Sequence, residues 1–205
     1  MHSNGLFLKD VAGFLGSYYT ALALMNAVAA LILWRKKGQL GWAVTWAVFA
    51  GVMMILASLA LSGSQSLVPS LPASARILVN KLSGPVAYTL GTTALFTILF
   101  VFRRFFVQPM AAWTVFNVAL VLMGLSMADE NFASIVMKPD NVPIVGLVFL
   151  LAFFTWVATK QAVVNDDRIR QGLPPMEKLN DEKVLVWPDL VYTELICMVA
   201  VSAFL

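Results

Sequence analysis

The chain is poor in the residue types that hold metals and haems. Its 205 residues include one histidine, His2, and one cysteine, Cys197. A b-type haem between membrane helices takes axial ligands that are usually a pair of histidines, and residues 3 to 205 contain none. A single cysteine excludes an internal disulfide and any two-cysteine haem-attachment or zinc motif. We therefore predict no catalytic residue, metal ligand or cofactor-binding residue in this chain.

Charged residues are also scarce. Only 12% of the residues are charged and 60% are hydrophobic, whereas about 25% of the residues of an ordinary soluble domain are charged. The apolar stretches approach or exceed the roughly 20 residues that cross a bilayer, and their lack of alternation favours helices over barrel strands. We predict an all-α polytopic integral membrane protein with about six transmembrane helices. The predicted spans are residues 11–34, 40–61, 85–102, 109–128, 142–159 and 188–205.

The lysines and arginines are unevenly distributed between the two sides of these spans. With the N-terminus outside, ten of the 14 basic residues lie on the inner side and four on the outer side, which matches the usual cytoplasmic excess. We therefore predict an N-terminus outside and a cytoplasmic segment over 165–186. A short interfacial helix is predicted over 73–82. The sequence pI of about 9.1 reflects the inner basic residues, and no nucleic-acid partner is expected.

The last predicted span differs from the others because it carries charges, Asp189 and Glu194. It begins with Trp187-Pro188-Asp189 and follows a polar, proline-containing segment over 165–183. Residues 184–205 resemble the start of the subunit IV module, similar to the C-terminal part of cytochrome b, in bacterial quinol:cytochrome c reductases of the bc type. In that family a charged, Pro-containing segment leads into a Trp-Pro-(Asp/Asn) turn, and a glutamate follows in the first helix.

The resemblance implies a non-haem, non-catalytic membrane subunit of a respiratory quinol:cytochrome c oxidoreductase-like electron-transfer complex. The expected partners are a haem-bearing cytochrome b-type subunit, an iron–sulfur subunit and the lipid bilayer, with quinone as a further candidate ligand. The expected location is the bacterial inner (cytoplasmic) membrane. The predicted organisation is a five-helix membrane domain over 1–164, a cytoplasmic strap over 165–187 and a first subunit IV-like helix over 188–205. Because Leu205 lies within an apolar stretch, we expect a fragment of a longer subunit.

Two carboxylates are the candidate functional residues. Placing a charged carboxylate at the bilayer centre costs about 2.5 kcal/mol or more. Glu194 should therefore face protein or water. It is a candidate for a subunit contact or proton handling, or for a simple ion pair with a neighbouring Lys or Arg. Asp189 has the same candidate roles, although its place in the first turn favours a helix cap. Cys197, Met198 and Ser202 share the face of Glu194, with Cys197 as a packing residue.

Asn26 and Asn117 are the other notable polar side chains within predicted spans. Each is expected to bond to a neighbouring helix, with a substrate contact as the alternative. The alternative function for the whole chain is a stand-alone small transporter or membrane scaffold. A transporter would need an intramembrane substrate site, for which Glu194, Asn26 and Asn117 are the candidates. The two halves show no inverted repeat that would favour a transporter.

Overall fold

The computed structural model describes residues 3–36, 38–82, 84–179 and 186–204. The protein is 85% helical, and the described residues include no strand. Short 3-10 and π-type turns occupy Gln65–Leu67 and Val186–Leu190. The α-helices are α1 (Ser3–Trp34), α2 (Leu40–Leu61), α3 (Ala73–Leu82), α4 (Pro85–Val101), α5 (Arg103–Phe106), α6 (Pro109–Ser126), α7 (Glu130–Val136), α8 (Asn141–Arg170), α9 (Met176–Leu179) and α10 (Val191–Phe204).

Four of these helices are long and apolar enough to cross a membrane, namely α1, α2, α6 and α8. Helices α3 and α4 form a pair bent by 88° that makes a fifth span if it counts as one. The chain is thus a helical membrane protein, which confirms the predicted class. The short helix predicted over 73–82 is present as α3. The predicted spans over 11–34, 40–61, 109–128 and 142–159 correspond to these four helices, because a long apolar stretch can satisfy its backbone hydrogen bonds in lipid only within itself.

The sixth predicted span, over 188–205, is shorter in the structure. The continuous α-helix α10 begins at Val191 and has 14 residues, a length of about 21 Å against roughly 30 Å for the hydrocarbon core. Trp187 has an extended backbone (φ −126°, ψ 131°), as expected of a residue that precedes a proline. The helix therefore starts later than the apolar sequence does.

Two other helices exceed their predicted bounds at polar ends. Helix α1 begins at Ser3 rather than at residue 11, and α8 continues from Asn141 to Arg170 rather than ending at 159. Charged and amide side chains end an apolar stretch, but most of them are compatible with a helix. At the end of α8, Gly172 adopts a positive φ of 72°. The amides of Gly172 and Leu173 donate to the carbonyls of Ile169 and Arg168, which forms a Schellman cap.

The chain divides into two compact units, Met1–Thr159 and Lys160–Leu205. In the first unit, α1 and α2 are antiparallel. Gly16 of α1 faces Leu61 at one end of the pair, and Leu33 packs with Trp46 at the other end. Small residues on α2 bring the two backbones close together, as in many membrane helix pairs. The buried face of α2 consists of Ala43, Trp46, Ala50, Met53, Ala57 and Ala60.

Helix α6 also runs antiparallel to α1, because Tyr18 contacts Leu120 and Asn26 contacts Asn117. It meets α2 through an edge-to-face contact of the Trp46 and Trp113 rings, whose centroids are 6.3 Å apart. In contrast, α4 has no buried residue. Helices α1, α2 and α6 therefore contribute to the core of the first unit, whereas α4 contributes no buried residue.

In the second unit, a hydrogen-bonded turn connects the end of α8 to α9. The Asn165 side-chain amide donates to both carboxylate oxygens of Glu177, at 2.9 and 2.8 Å, and its carbonyl accepts from the Met176 backbone amide. The Arg168 Nε donates to the Pro174 carbonyl at 2.8 Å. The first part of the polar segment is thus folded on itself.

Candidate functional site

A buried polar cluster joins α1 to α6 in the middle of the first unit. Asn26 Nδ2 donates to Asn117 Oδ1 at 2.7 Å and to the Leu22 carbonyl at 2.9 Å. Trp113 Nε1 donates to Asn26 Oδ1 at 3.0 Å, and Asn117 Nδ2 donates to the Trp113 carbonyl at 2.9 Å. Asn26 and Asn117 are 0% and 1% exposed. The prediction that these asparagines bond to a neighbouring helix is confirmed.

This cluster contains amides and an indole but no titratable group. Hydrogen bonds between membrane helices contribute about 0.6 kcal/mol on average and up to about 1.7 kcal/mol. An unpaired amide in this apolar setting would cost more than such a bond contributes. The cluster therefore fixes the register between α1 and α6, and its bonded amides are poorly suited to a substrate.

Two tyrosines continue the contact between α1 and α6. The Tyr18 hydroxyl donates to the Leu120 carbonyl at 2.7 Å. Tyr19 is fully buried, and its hydroxyl has no hydrogen-bond partner among the described residues. Gly124 allows this close approach, because a Cβ atom there would lie 2.8 Å from Tyr18 Cε1 and 3.0 Å from the Tyr19 hydroxyl. Trp46 Nε1 is likewise buried without a partner in the described part of the chain.

A second polar region lies at one end of the core, where α1 extends beyond α2 and α6. The segments that follow α2 and α6 pack there, with Val68, Met127 and Ala133 contributing to the same core cluster as Val11 and Leu15. Asp129 is the N-cap of α7, and its Oδ1 accepts from the backbone amides of residues 131 and 132 at 3.1 and 3.2 Å. This cap holds the Asp129 carboxylate at a defined place beside α3.

Arg76 of α3 lies against this carboxylate, with its Nη1 3.6 Å from Asp129 Oδ2. Both side chains line two adjacent cavities of about 310 and 300 Å³. The first cavity has a largely polar lining that includes Gln65, Ser66 and Glu130. The second has a more apolar lining that includes Leu125, Phe132 and Ile135. The sequence alone does not reveal this region, because its lining residues come from α1, from the segment between α2 and α3, from α3 and from the stretch that runs from the end of α6 into α7.

The predicted site residues Glu194 and Asp189 lie in the second unit. Glu194 is on α10 and is exposed, and it has neither a hydrogen bond nor an ion pair with any described residue. The backbone of Asp189 lies in the turn Val186–Leu190, but its side chain is outside the part that the structure describes. Its capping role stays a prediction. Cys197, Met198 and Ser202 are exposed on the same helix.

The described residues contain no group of three or more His, Cys, Asp or Glu that could hold a metal ion. Protein-family models, curated proteins and solved structures were each compared with the chain, and none of them matches it. Two features of the described residues are candidate functional sites, namely the exposed carboxylate of Glu194 and the paired cavities at Arg76 and Asp129.

Proposed function

We propose that this chain is a non-haem membrane subunit of a respiratory quinol:cytochrome c oxidoreductase-like complex. The proposal joins the resemblance of residues 184–205 to a subunit IV module with one structural observation. Glu194 projects from an apolar helix without an intramolecular partner among the described residues. A carboxylate in that position needs a partner or water, since an unpaired charge in hydrocarbon is costly. A neighbouring subunit can supply that partner.

In this proposal α10 lies against a cytochrome b-type subunit in the bacterial inner membrane. Residues 188–205 complete a sixth span there, the N-terminus is outside, and 165–186 is cytoplasmic, in line with the ten-to-four distribution of basic residues. Haem and the iron–sulfur cluster belong to the partner subunits, because the sequence of this chain contains one histidine and one cysteine. A quinone between the subunits is compatible with the proposal.

The structure lends less support to a stand-alone transporter. Asn26 and Asn117 are two of the three candidate substrate residues. Their amide groups are hydrogen-bonded to each other, to Trp113 and to carbonyls of their own helices. Neither side chain is accessible. Of the three candidate residues, only Glu194 is then accessible to a substrate.

Co-purification tests the proposal. The chain is tagged, expressed in its native host and extracted in mild detergent, and the haem retained on the tag is measured by absorbance. Wild type should retain stoichiometric b-type haem. Glu194→Ala should reduce the retained haem about tenfold or more, since removing one member of a buried polar pair between subunits costs about 2–5 kcal/mol. Glu194→Gln, which keeps the shape and one acceptor, should lose less.

Asp140→Ala is the matched control, because Asp140 is an exposed carboxylate outside the spans. The control should retain as much haem as wild type. A colourless wild-type preparation, or equal haem retention in both Glu194 variants and wild type, would contradict the proposal. Membrane insertion is checked in each variant by the amount of tagged chain in the membrane fraction.

Labelling tests the proposed orientation. Gln171 is exposed and lies in the segment proposed to be cytoplasmic, and it is a better cysteine position than Gly172, whose φ of 72° disfavours a side chain. In a Cys197→Ser background, Gln171→Cys should react with an impermeant maleimide only after the cells are opened. Reaction in intact cells would show that this segment lies outside, and the orientation would then be the opposite of the one proposed.

A further inference from the structure

The two cavities beside Arg76 share part of their lining and differ in polarity. Ser70, Arg76 and Asp129 line both of them. Their volumes of about 310 and 300 Å³ lie at the lower end of the range of about 300–1,000 Å³ for small-molecule sites. One cavity is largely polar and the other more apolar, so the lining suits a ligand with a polar head and an apolar chain.

The charged groups at the junction have unused hydrogen-bonding capacity. The Arg76 guanidinium presents five N–H donors, and none of them forms a hydrogen bond with a described residue. Its contact with Asp129, at 3.6 Å, is an ion pair that is too long for a hydrogen bond. Asp129 uses Oδ1 for the cap of α7, which leaves Oδ2 beside Arg76. The site thus offers a donor fork next to a carboxylate oxygen.

The net charge of the cavity lining indicates which type of head group fits. The charged residues that line the two cavities are Arg76, Asp129 and Glu130, whose formal charges sum to −1 (+1 − 1 − 1). A head group with a net negative charge would be repelled by this excess of negative charge. A zwitterionic head group would place its phosphate on the Arg76 fork and its ammonium on the carboxylates.

The position of the site also fits a lipid. Its residues lie next to the beginning of one apolar span, at Phe7 and Leu8, and directly after the end of another, at Ala128 and Asp129. Span ends are where lipid head groups meet a membrane protein. The more apolar cavity is lined by Val79 of α3, by Leu125 near the end of α6, and by Phe132 and Ile135 of α7.

We propose that this pair of cavities binds one phosphatidylethanolamine molecule, with its phosphoethanolamine head group at Arg76, Asp129 and Glu130 and the start of an acyl chain along Leu125, Phe132 and Ile135. The inference does not depend on the proposed function, because every residue of the site belongs to the first unit of this chain.

Native mass spectrometry of the purified, delipidated full chain tests the proposal. The chain is titrated in detergent with phosphatidylethanolamine, phosphatidylglycerol and phosphatidylcholine that carry identical acyl chains. One phosphatidylethanolamine should bind about tenfold more tightly than phosphatidylglycerol, because the latter lacks the ammonium. Phosphatidylcholine should bind more weakly than phosphatidylethanolamine, since its quaternary nitrogen has no N–H donor.

Two variants and one control locate the site. Arg76→Gln should weaken phosphatidylethanolamine binding about tenfold. Ser70→Trp leaves the ion pair intact but places a bulky side chain at a position that lines both cavities, and it should abolish the one-to-one complex. Lys81→Gln removes a positive charge from the same helix without touching either cavity, and its binding should equal that of wild type.

Soluble phosphoethanolamine separates a lipid from a free phosphate compound. It should fail to displace the lipid at equal concentration, because it lacks the acyl chain. Displacement at equal concentration would assign the site to a soluble compound and overturn the lipid proposal. Equal affinity for the three lipids, or unchanged binding in both site variants, would also overturn it.

Discussion

Helices α1 and α10 are both apolar and each carries a notable polar side chain, but the two side chains differ in burial and hydrogen bonding. Asn26 of α1 is fully buried and bonds to Leu22, Asn117 and Trp113. Glu194 of α10 is exposed and has no partner among the described residues. The first unit therefore provides hydrogen-bond partners for Asn26 and Asn117 itself, whereas the Glu194 carboxylate needs a partner from outside the described part of the chain.

The difference follows from packing. Helix α1 has a continuous buried stripe that includes Leu15, Tyr19, Leu22 and Leu33, with α2 and α6 as neighbours. On α10, every residue from Val191 to Ala203 is exposed. Glu194 therefore has no packed side chain beside it, among the described residues, that could pair with its carboxylate. The following substitutions test whether α1 and α10 differ in this way, beginning with the largest expected effect.

Asn117→Leu should destabilise the isolated chain most. It leaves one N–H of the Asn26 amide without an acceptor inside the core, while the other still donates to the Leu22 carbonyl, and an unsatisfied buried group costs about 1–3 kcal/mol. Thermal unfolding in detergent, followed by tryptophan fluorescence, measures the loss. Thr114→Val is the control, because the Thr114 hydroxyl is exposed and bonds only to its own helix at the Met110 carbonyl. Equal unfolding temperatures for Asn117→Leu and the control would mean that the cluster does not hold α1 to α6.

Gly124→Ala should destabilise the chain by about 1–2 kcal/mol, because the added methyl group overpacks a tight contact. Its Cβ atom would lie 2.8 Å from Tyr18 Cε1, so the ring or the helix must move. Gly91→Ala on α4 is the matched control, since nothing lies within 4 Å of its added Cβ atom. Stability is compared by the same unfolding measurement. If the two alanine variants are equally stable, α1 and α6 do not approach each other as closely as described.

The two adjacent tyrosines should respond differently to loss of the hydroxyl. Tyr18→Phe removes the hydrogen bond to the Leu120 carbonyl and should cost about 1 kcal/mol. Tyr19→Phe removes a buried hydroxyl that has no partner among the described residues, and it should be neutral within about 0.5 kcal/mol or stabilising. Each variant serves as the control of the other in the unfolding experiment. A larger loss for Tyr19→Phe would reveal an acceptor for its hydroxyl.

Glu194→Gln should have the smallest effect on the isolated chain, within about 0.5 kcal/mol. The reason is that its carboxylate forms no bond with the described part of the chain. The same variant should retain less haem than wild type in the co-purification experiment, so the two measurements together separate an external partner from an internal one. A marked loss of stability in the isolated chain would indicate an intramolecular partner and would remove the difference between α1 and α10.

Much of the architecture could be read from the sequence. The all-α membrane class, α2 over 40–61 and a short helix over 73–82 follow from apolar stretches and their breaks. The bounds were less predictable where polar residues continue a helix, as at Ser3 and Arg170, because helix formation does not require an apolar side chain. The late start of α10 reflects the extended backbone of Trp187 before Pro188, which hydropathy does not reveal.

The sequence by itself determined that this chain forms membrane helices, because in lipid a long apolar stretch must satisfy its own backbone. It also identified Asn26, Asn117 and Glu194 as polar residues that need partners. Only the tertiary structure decided which of them find one within the chain. Asn26 and Asn117 are 91 residues apart in sequence, and Arg76 and Asp129 come from different segments. Such pairs depend on how helices pack, and packing is set by the shapes of whole helix faces and not by local sequence.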